Sequence, residues 1–352
     1  MVVEGNLKKK IIYSCLSAGL LLSILFSLGM GAMKIPVSDV LAIFFNKTGL
    51  GKPIMVDPMY ENVLQYVRLP RVLLGMLVGA ALGISGSAIQ GIFRNPLAEP
   101  GLIGISAGAS FMAVSIIGLE LVFFAGLGKI LGFYLLAFGS FAGAGIAAML
   151  VYQLSKTDGK PNVATMLLAG IAINAMAGAL TGLITYLADE QQLRTITFWM
   201  LGSLGGANWQ MVNSLFPFVL IPVICLPLYS KGLNLFAIGE HQAEQIGLNP
   251  GRIKARVVFL ATLAVGASVS VTGIIGFVGL LVPHTIRLMG GVDHKFVLPA
   301  SALLGALVLT LSDMLARTIA APIELPIGVI TALLGTPVFL YILIKDKKKI
   351  LY

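Results

Sequence analysis

Nine stretches of this chain contain no Asp, Glu, Lys or Arg: residues 11–33, 72–93, 100–119, 130–155, 161–188, 195–230, 257–286, 296–312 and 325–344. Each is near or above the ~20 residues that a helix rising ~1.5 Å per residue needs to cross ~30 Å of hydrocarbon. Lipid offers the backbone no hydrogen bonds, and a helix satisfies its own, so all nine read as helices. Composition agrees: 11% of the 352 residues are charged and 57% hydrophobic, against the roughly 25% charged that a soluble domain carries. An ordinary soluble enzyme is excluded. The sequence predicts an all-α, polytopic membrane protein forming a single domain over residues 1–352.

Parity then constrains the number of spans. Lys8, Lys9 and Lys10 at one terminus and Lys345, Lys347, Lys348 and Lys349 at the other both belong in the cytoplasm by the positive-inside rule. Nine crossings would separate them. The 30-residue run 257–286 contains Val271-Thr272-Gly273 and Gly276, a plausible break, and splitting it gives ten transmembrane helices with 16 of the 24 Lys and Arg residues inside. The eighth span then holds about 15 residues before His284 and Arg287, short of ~20, so protein rather than lipid must shield it. Five external charges, Lys34, Lys47, Lys52, Arg68 and Arg71, lie in or around the first extracytoplasmic loop, 34–66, an excess that points to function.

The first apolar run is longer than the 7 to 15 residues of a signal-peptide core and lacks a convincing cleavage site, so it reads as a retained helix. Cys15 and Cys225 have no paired spacing and read as packing residues. The net charge of +9 comes without a basic patch interleaved with aromatics, so anionic lipid explains it better than nucleic acid. Gly79, Gly83 and Gly86, and Gly101, Gly104 and Gly108, recur at spacings that in apolar helices mark close packing faces. Shifting the chain by 187 residues aligns Val78-Gly79-Ala80 with Val265-Gly266-Ala267, Gly86 with Gly273, Pro96 with Pro283, and Gly104 with Gly291. Copies starting at spans two and seven would have inverted topology, a transporter design.

Searching for chemistry returns absences. Gly51-Lys52, Gly128-Lys129 and Gly159-Lys160 are followed by Pro, Ile and Pro, so no phosphate-binding P-loop exists. His241-Gln242-Ala243-Glu244-Gln245 is not the H-E-x-x-H of a zinc protease. Asp313, one helical turn before Arg317, is the clear acid within a span. It reads as structural neutralisation or, alternatively, ion coupling.

The longest cytoplasmic connection, 231–254, carries the most pattern. Gly239 and Gly247 can each close a short helix as left-handed C-terminal residues. Leu233, Phe236 and Ala237, and then Ala243, Ile246 and Gly247, fall at helical spacing. Two such helices suit a membrane surface or the groove of a partner, and the acids Glu240 and Glu244 favour the partner.

With these residues in view, the chain resembles the permeases of type II ABC importers for iron chelates, haem and vitamin B12. The resemblance rests on Arg68-Leu-Pro-Arg71, Arg94-Asn95-Pro96-Leu97-Ala98-Glu99-Pro100-Gly101, Gly239-Glu240-x-x-Ala243-x-x-Ile246-Gly247, and Gly276-Phe277-Val278-Gly279-Leu280. It continues through Pro283-His284-x-x-Arg287, Asp293-His294 and Glu324-Leu325-Pro326-Ile327-Gly328, in order from about residue 60 to 344, and includes Trp199, Gly202 and Trp209. Ile238 and Ile246 stand where that family often has Leu.

The resemblance implies ten spans per subunit and a homodimer around a central pathway in a bacterial or archaeal plasma membrane. Two separate ATPase subunits would bind ATP and Mg, this chain holding no cofactor or metal, and an extracytoplasmic substrate-binding protein would deliver the ligand. It implies that 231–254 forms the ATPase-coupling helices, with Gly239, Glu240, Ala243, Ile246 and Gly247. Arg68, Arg71 and Arg317 match positions that dock the binding protein; snorkelling at span ends is the plain alternative. The fifth span, with Ala169, Gly170, Asn174 and Gly178, matches the helix that lines and gates the pathway, although its small face also suits packing and Asn174 suits a bond to a neighbouring helix. Asn95, Pro96, Pro283, His284, Arg287, Asp313, Glu324 and Pro326 carry structural motifs. An iron chelate or haem is the implied ligand, with cobalamin second. An ion-coupled secondary transporter and a structural subunit without its own pathway are the other classes.

Overall fold

The computed structural model describes residues 2–31, 33–49, 54–119, 131–157 and 159–350. Lys52, Glu120 and Lys129, which bound or flank the charge-free runs, lie outside the described residues, as do the side chains of the lysines at 345–349. The described residues are helical apart from loops and one two-residue hairpin, β1 (Lys156–Thr157) with β2 (Lys160–Pro161).

Among the described residues, seven helices are long and apolar enough to cross a membrane, and Ile105–Gly118 and Ile327–Tyr341 are shorter apolar helices. In chain order the helices are α1 (Val2–Gly29), α2 (Val37–Thr48), α3 (Pro58–Val63), α4 (Leu69–Phe93), α5 (Ile105–Gly118), α6 (Phe133–Leu154) and α7 (Val163–Leu187). There follow α8 (Glu190–Leu201), α9 (Trp209–Cys225), α10 (Ser230–Phe236), α11 (Glu240–Gln245), α12 (Pro250–Thr272), α13 (Val278–Gly290), α14 (His294–Ala316) and α15 (Ile327–Ile350).

Eight of the nine charge-free runs each contain one membrane-scale or shorter apolar helix, and the ninth, 257–286, divides where expected. Helix α12 stops at Thr272, Gly273 turns at φ 73°, and α13 starts at Val278. With 13 residues, α13 is about 20 Å long at ~1.5 Å per residue. It is indeed sheltered by protein: Val278, Gly279, Leu280, Val282, Pro283 and Ile286 are buried, against α4 and α14. The run 195–230 is not one span. It holds the end of α8, then a loop through Gly202, Gly205 and Gly206, and only then α9, whose start is capped by the Asn208 side chain accepting from Met211 N–H. Absence of charge is blind to that interruption, because Gly, Ser and Asn break a helix without carrying any.

The first loop is largely helical. Helices α2 and α3 occupy it, and Ile35, Val40 and Ile43 pack with Leu28, Leu64 and Val72 into a small cluster of their own. From α3 the chain enters α4 through a π-turn at Leu64–Arg68. Pro70, two residues into α4, has no N–H to continue the ordinary ladder, and Leu69 N–H instead reaches back to Leu64 O.

Helix α4 is the centre of the bundle. In the span containing it 78% of the most apolar window is buried, against 22% for α7, so α4 is core and α7 periphery. The peripheral helices turn Leu168, Ile171, Leu183 and Leu187 outward, as lipid-facing surface does. Small residues set the central packing: a Cβ at Gly79 would strike the Gly305 carbonyl on α14, one at Gly83 the Ser301 carbonyl, and one at Gly86 the Gly279 carbonyl on α13. Gly108 on α5 meets the Gly143 carbonyl on α6 in the same way. The residues that the 187-residue shift aligns share less than their letters. Gly104 (φ 83°) closes the short turn Pro100–Ile103 and Gly291 (φ 92°) closes α13, but Gly86 lies inside α4 while Gly273 ends α12.

Gly79→Ala is expected to lower thermal stability in detergent by about 1–3 kcal/mol, the usual cost of overpacking. Gly145→Ala, inside α6 at a site with open space around it, serves as the control and does not lower the midpoint.

Candidate functional site

Three groups of functional candidates occupy three levels of the bundle. At one end, the last carbonyls of α1 have no partner within their own helix, and two arginines take them. Arg317, just past α14, donates to Ser27 O (2.6 Å) and Met30 O (2.8 Å), and Arg68 donates to Leu28 O and Met33 O. A cation suits that position because the helix C-terminus is its negative end. Gly31 leaves room for both guanidinium groups beside the turn.

Next to them, Asp313 lies between Arg71 (Nε to Oδ1, 2.9 Å) and Arg317 (Nε to Oδ2, 3.2 Å). The second contact is an ion pair by distance but lacks hydrogen-bond alignment, since neither Arg317 Nε nor Asp313 Oδ2 makes a hydrogen bond. Glu324 accepts from Arg71 Nη1 at 2.8 Å. The expected pairing of Asp313 with Arg317 is therefore present, extended by Arg71 and Glu324 into a cluster joining α1, α4, α14 and the approach to α15. Arg68, Arg71 and Arg317 are only 4, 7 and 7% exposed, so their charges are turned inward rather than free at the surface.

In the middle, a cavity of about 650 Å³ is bordered by α5, α7, the loop before α5 and the break between α12 and α13. The pathway candidates divide here. Asn174 and Gly178 line the cavity, and Gly178 and Gly182 have open space where a Cβ would stand. Ala169 and Gly170 instead belong to packing: Ala169 is partly buried against the core and Gly170 is pressed against the Leu102 backbone. Asn174 Nδ2 donates to Gly101 O at 3.1 Å, the helix-to-neighbour bond expected of it, while its Oδ1 is buried without a partner.

Two lining residues escaped sequence reasoning. Glu99, in the connection before α5, borders the cavity, and burial raises its carboxyl above the ordinary value of 4.5. Phe277 borders it too, at φ 67°, a left-handed conformation that costs a bulky residue strain. Each was legible only as part of a motif, Glu99 in Arg94–Gly101 and Phe277 in Gly276–Leu280. In the first motif, Asn95 Oδ1 accepts from Leu97 N–H (2.9 Å), closing the turn that contains Pro96. Pro283 and His284 lie within α13, Arg287 donates to Gln90 Oε1, and the Pro326 carbonyl starts α15 by accepting from Val329 N–H at 3.1 Å.

At the opposite end, 231–254 folds into α10, α11 and the first turn of α12, as the spacing predicts. Leu233, Phe236 and Ala243 are buried, and Ile238 and Ile246 stand 68 and 66% exposed. Gly247 (φ 90°) closes α11, with Leu248 N–H bonded to Ala243 O at 3.1 Å. Gly239 departs from expectation. At φ 142°, ψ 149° it is not a left-handed closing residue but the extended lead into α11, and Gly239 N–H bonds Leu235 O at 3.3 Å. Glu240 pairs with Lys254 at 2.6 Å and Glu244 with Lys160 at 2.9 Å, so both acids are ion-paired within the chain. Lys254, 1% exposed, also donates to Pro161 O at 3.0 Å, bracing α11 against α12 and the hairpin. Sequence reasoning passed over it because a lysine beside a helix start reads as solvated.

The profile of the FecCD transport family matches residues 19–345. The haemin transport system permease protein of Yersinia pestis is 44% identical over 283 residues, covering 80% of this chain and 83% of the relative. The Fe(3+)-citrate import system permease of Bacillus subtilis is 38% identical over 328 residues, covering 92 and 91%. The cobalamin import system permease of Halobacterium salinarum is 40% identical over 277 residues, covering 79 and 72%. Among solved structures, an inward-facing metal-chelate type ABC transporter superposes with a TM-score of 0.83 at 31% identity, covering 96% of this chain and 99% of the other.

Removing Asp313 leaves Arg71 and Arg317 facing each other in a buried site. Asp313→Ala is expected to destabilise the folded protein by about 3–5 kcal/mol, the cost of stranding a buried charge. Thermal unfolding in detergent checks this, with Lys47→Ala at the exposed end of α2 as a neutral control.

Proposed function

The chain belongs to the FecCD transport family of ABC importer permeases, and from that premise we propose that it passes an iron chelate or haem across the plasma membrane. The single observation carrying this reading is the cavity beside α7. Its volume falls within the roughly 300–1,000 Å³ that holds a drug-sized ligand, it is bordered by the broken α12–α13 connection, and its walls are mostly apolar, as suits a cargo that must pass without being held. The haem and ferric citrate permeases among its relatives favour iron cargo; the cobalamin permease supports a corrinoid as the second reading.

In this account the chain is a homodimer of ten-span subunits. Helix α13, the apolar α5 and the apolar part of α15 complete the ten alongside the seven longer helices. Both termini lie in the cytoplasm, on the same side as α10 and α11. Those two helices seat in a partner ATPase, with Ile238 and Ile246 as the apolar contacts; ATP and Mg are held by that ATPase. The end carrying α2, α3 and the arginine cluster faces outward and receives the binding protein. There Arg68, Arg71 and Arg317 hold the docking surface in shape and bias its potential from beneath. No covalent step occurs in this chain: the ATPase shifts the balance between inward- and outward-open states.

Uptake by proteoliposomes containing the chain, its ATPase and a loaded binding protein tests the proposal. Accumulation of a ferric siderophore or haem only when ATP is supplied is the expected result. Transport by the chain alone, driven by an ion gradient, would show a secondary transporter instead.

A further inference from the structure

Where α10 meets α14, three polar residues form a joint that the transport reading leaves unused. Asn234, on α10, donates from Nδ2 to Asp293 Oδ1 at 2.8 Å. Its Oδ1 accepts the backbone N–H of His294 at 2.9 Å and lies 2.8 Å from the His294 ring Nδ1. An amide oxygen carries no proton, so the ring holds its proton on Nδ1. One side chain thus makes three bonds to the first turn of α14. Asp293 is also the N-cap of that helix, accepting from Lys295 N–H at 3.0 Å. Burial opposes ionisation of Asp293, but the bonds from Asn234, Lys295 and Lys9 outweigh it and hold the carboxyl below its ordinary value.

The joint does not end at α14. His294 is 7% exposed, and its ring lies on α4 at Gly91, where an added Cβ would come within 2.7 Å of Nε2. The neighbouring residue on α4, Gln90, is 2% exposed and donates to Leu280 O on α13 at 3.0 Å. Helix α13 begins directly after Ile274–Phe277, the break that lines the cavity. Contacts therefore run from α10 through α14 and α4 to the break: hydrogen bonds join α10 to α14 and α4 to α13, and the His294 ring packs against Gly91 between them.

We propose that Asn234, Asp293 and His294 are the positioning residues that convert movement of the α10–α11 unit into movement of α14 and the α12–α13 break. The proposal rests on reading 231–254 as the ATPase-coupling segment. Hydrogen bonds suit such a joint better than apolar packing does, because they fix orientation and not only distance. Apolar packing alone lets α10 slide on Leu233.

The test uses the complete transporter in proteoliposomes, with uptake and ATP hydrolysis measured together. Asn234→Ala and Asp293→Ala are each expected to reduce cargo moved per ATP by about tenfold, within the usual span of inter-site coupling, with ATPase activity kept within about twofold. The swap of Asn234→Asp with Asp293→Asn reverses donor and acceptor but keeps an oxygen facing His294 and an Asn N-cap on α14. It also loses the Lys9–Asp293 pair, 3.4 Å long and half-exposed, which contributes little. The swap is expected to restore most of the transport-to-hydrolysis ratio, which a merely structural defect would not do. An unchanged ratio in either single variant overturns the proposal, and so does a swap no better than the single variants. Failure of the underlying reading looks different: the wild-type chain would then not retain its ATPase on purification.

Discussion

Everything in this bundle hangs on the approach of the α4 backbone to α14 and α13. In lipid the apolar effect does not press helices together, because tails are as apolar as the side chains they would replace. Contact must come from dispersion and from backbones that come close. Gly79 against Gly305, Gly83 against Ser301 and Gly86 against Gly279 provide that closeness along about two turns of one helix. Any larger residue there pushes away both the long α14 and the short α13, whose 13 residues cannot face lipid alone.

With α4 fixed, its two ends become anchors. Arg71 joins the ion cluster at one end, and Gln90 and Gly91 meet α13 and His294 at the other. The chain has few charges, and many of those that it has stand at helix ends. Arg68 and Arg317 satisfy the unpaired carbonyls of α1, Asp313 and Glu324 balance part of the resulting positive charge, and Lys254 ties α11 to the hairpin. Burying such groups is tolerable only because each has several partners. The periphery is the reverse: α7 brings no charge to the cavity, only Gly178 and Gly182 with the neutral polar side chains of Asn174, Thr181 and Thr185.

Much of this was legible from residues alone, for identifiable reasons. Crossing helices follow from a one-dimensional property, the absence of charge over a set length. The break after Thr272 and the two short helices of 231–254 follow from glycine and from apolar spacing. The small-residue contacts of α4 follow from the recurrence of glycine. What local pattern could not carry was pairing across the chain. Arg71 and Asp313 are 242 residues apart, and Lys160 and Glu244 are 84 apart, so the inward turn of Arg68 and Arg71 and the ion pairing of Glu244 leave no mark in local sequence. The run 195–230 misled for a related reason: an uncharged loop and an uncharged helix look alike to a rule that counts charges. Gly239 misled because a glycine's positive φ serves both closing a helix and leading into one.

The central claim is that the face of α7 at the cavity changes exposure as a partner ATPase turns over. The direct measurement is the labelling rate of Gly178→Cys by a water-soluble thiol reagent, in a chain with Cys15 and Cys225 replaced by Ser. The transporter is sampled without nucleotide and trapped with ATP and vanadate, and Tyr186→Cys, on the exposed outer side of the same helix, serves as reference. The account predicts that the rate at position 178 changes by about tenfold between the two states, a shift that a coupling free energy of ordinary size supplies, while position 186 is unaffected. Equal rates at position 178 in both states would contradict it.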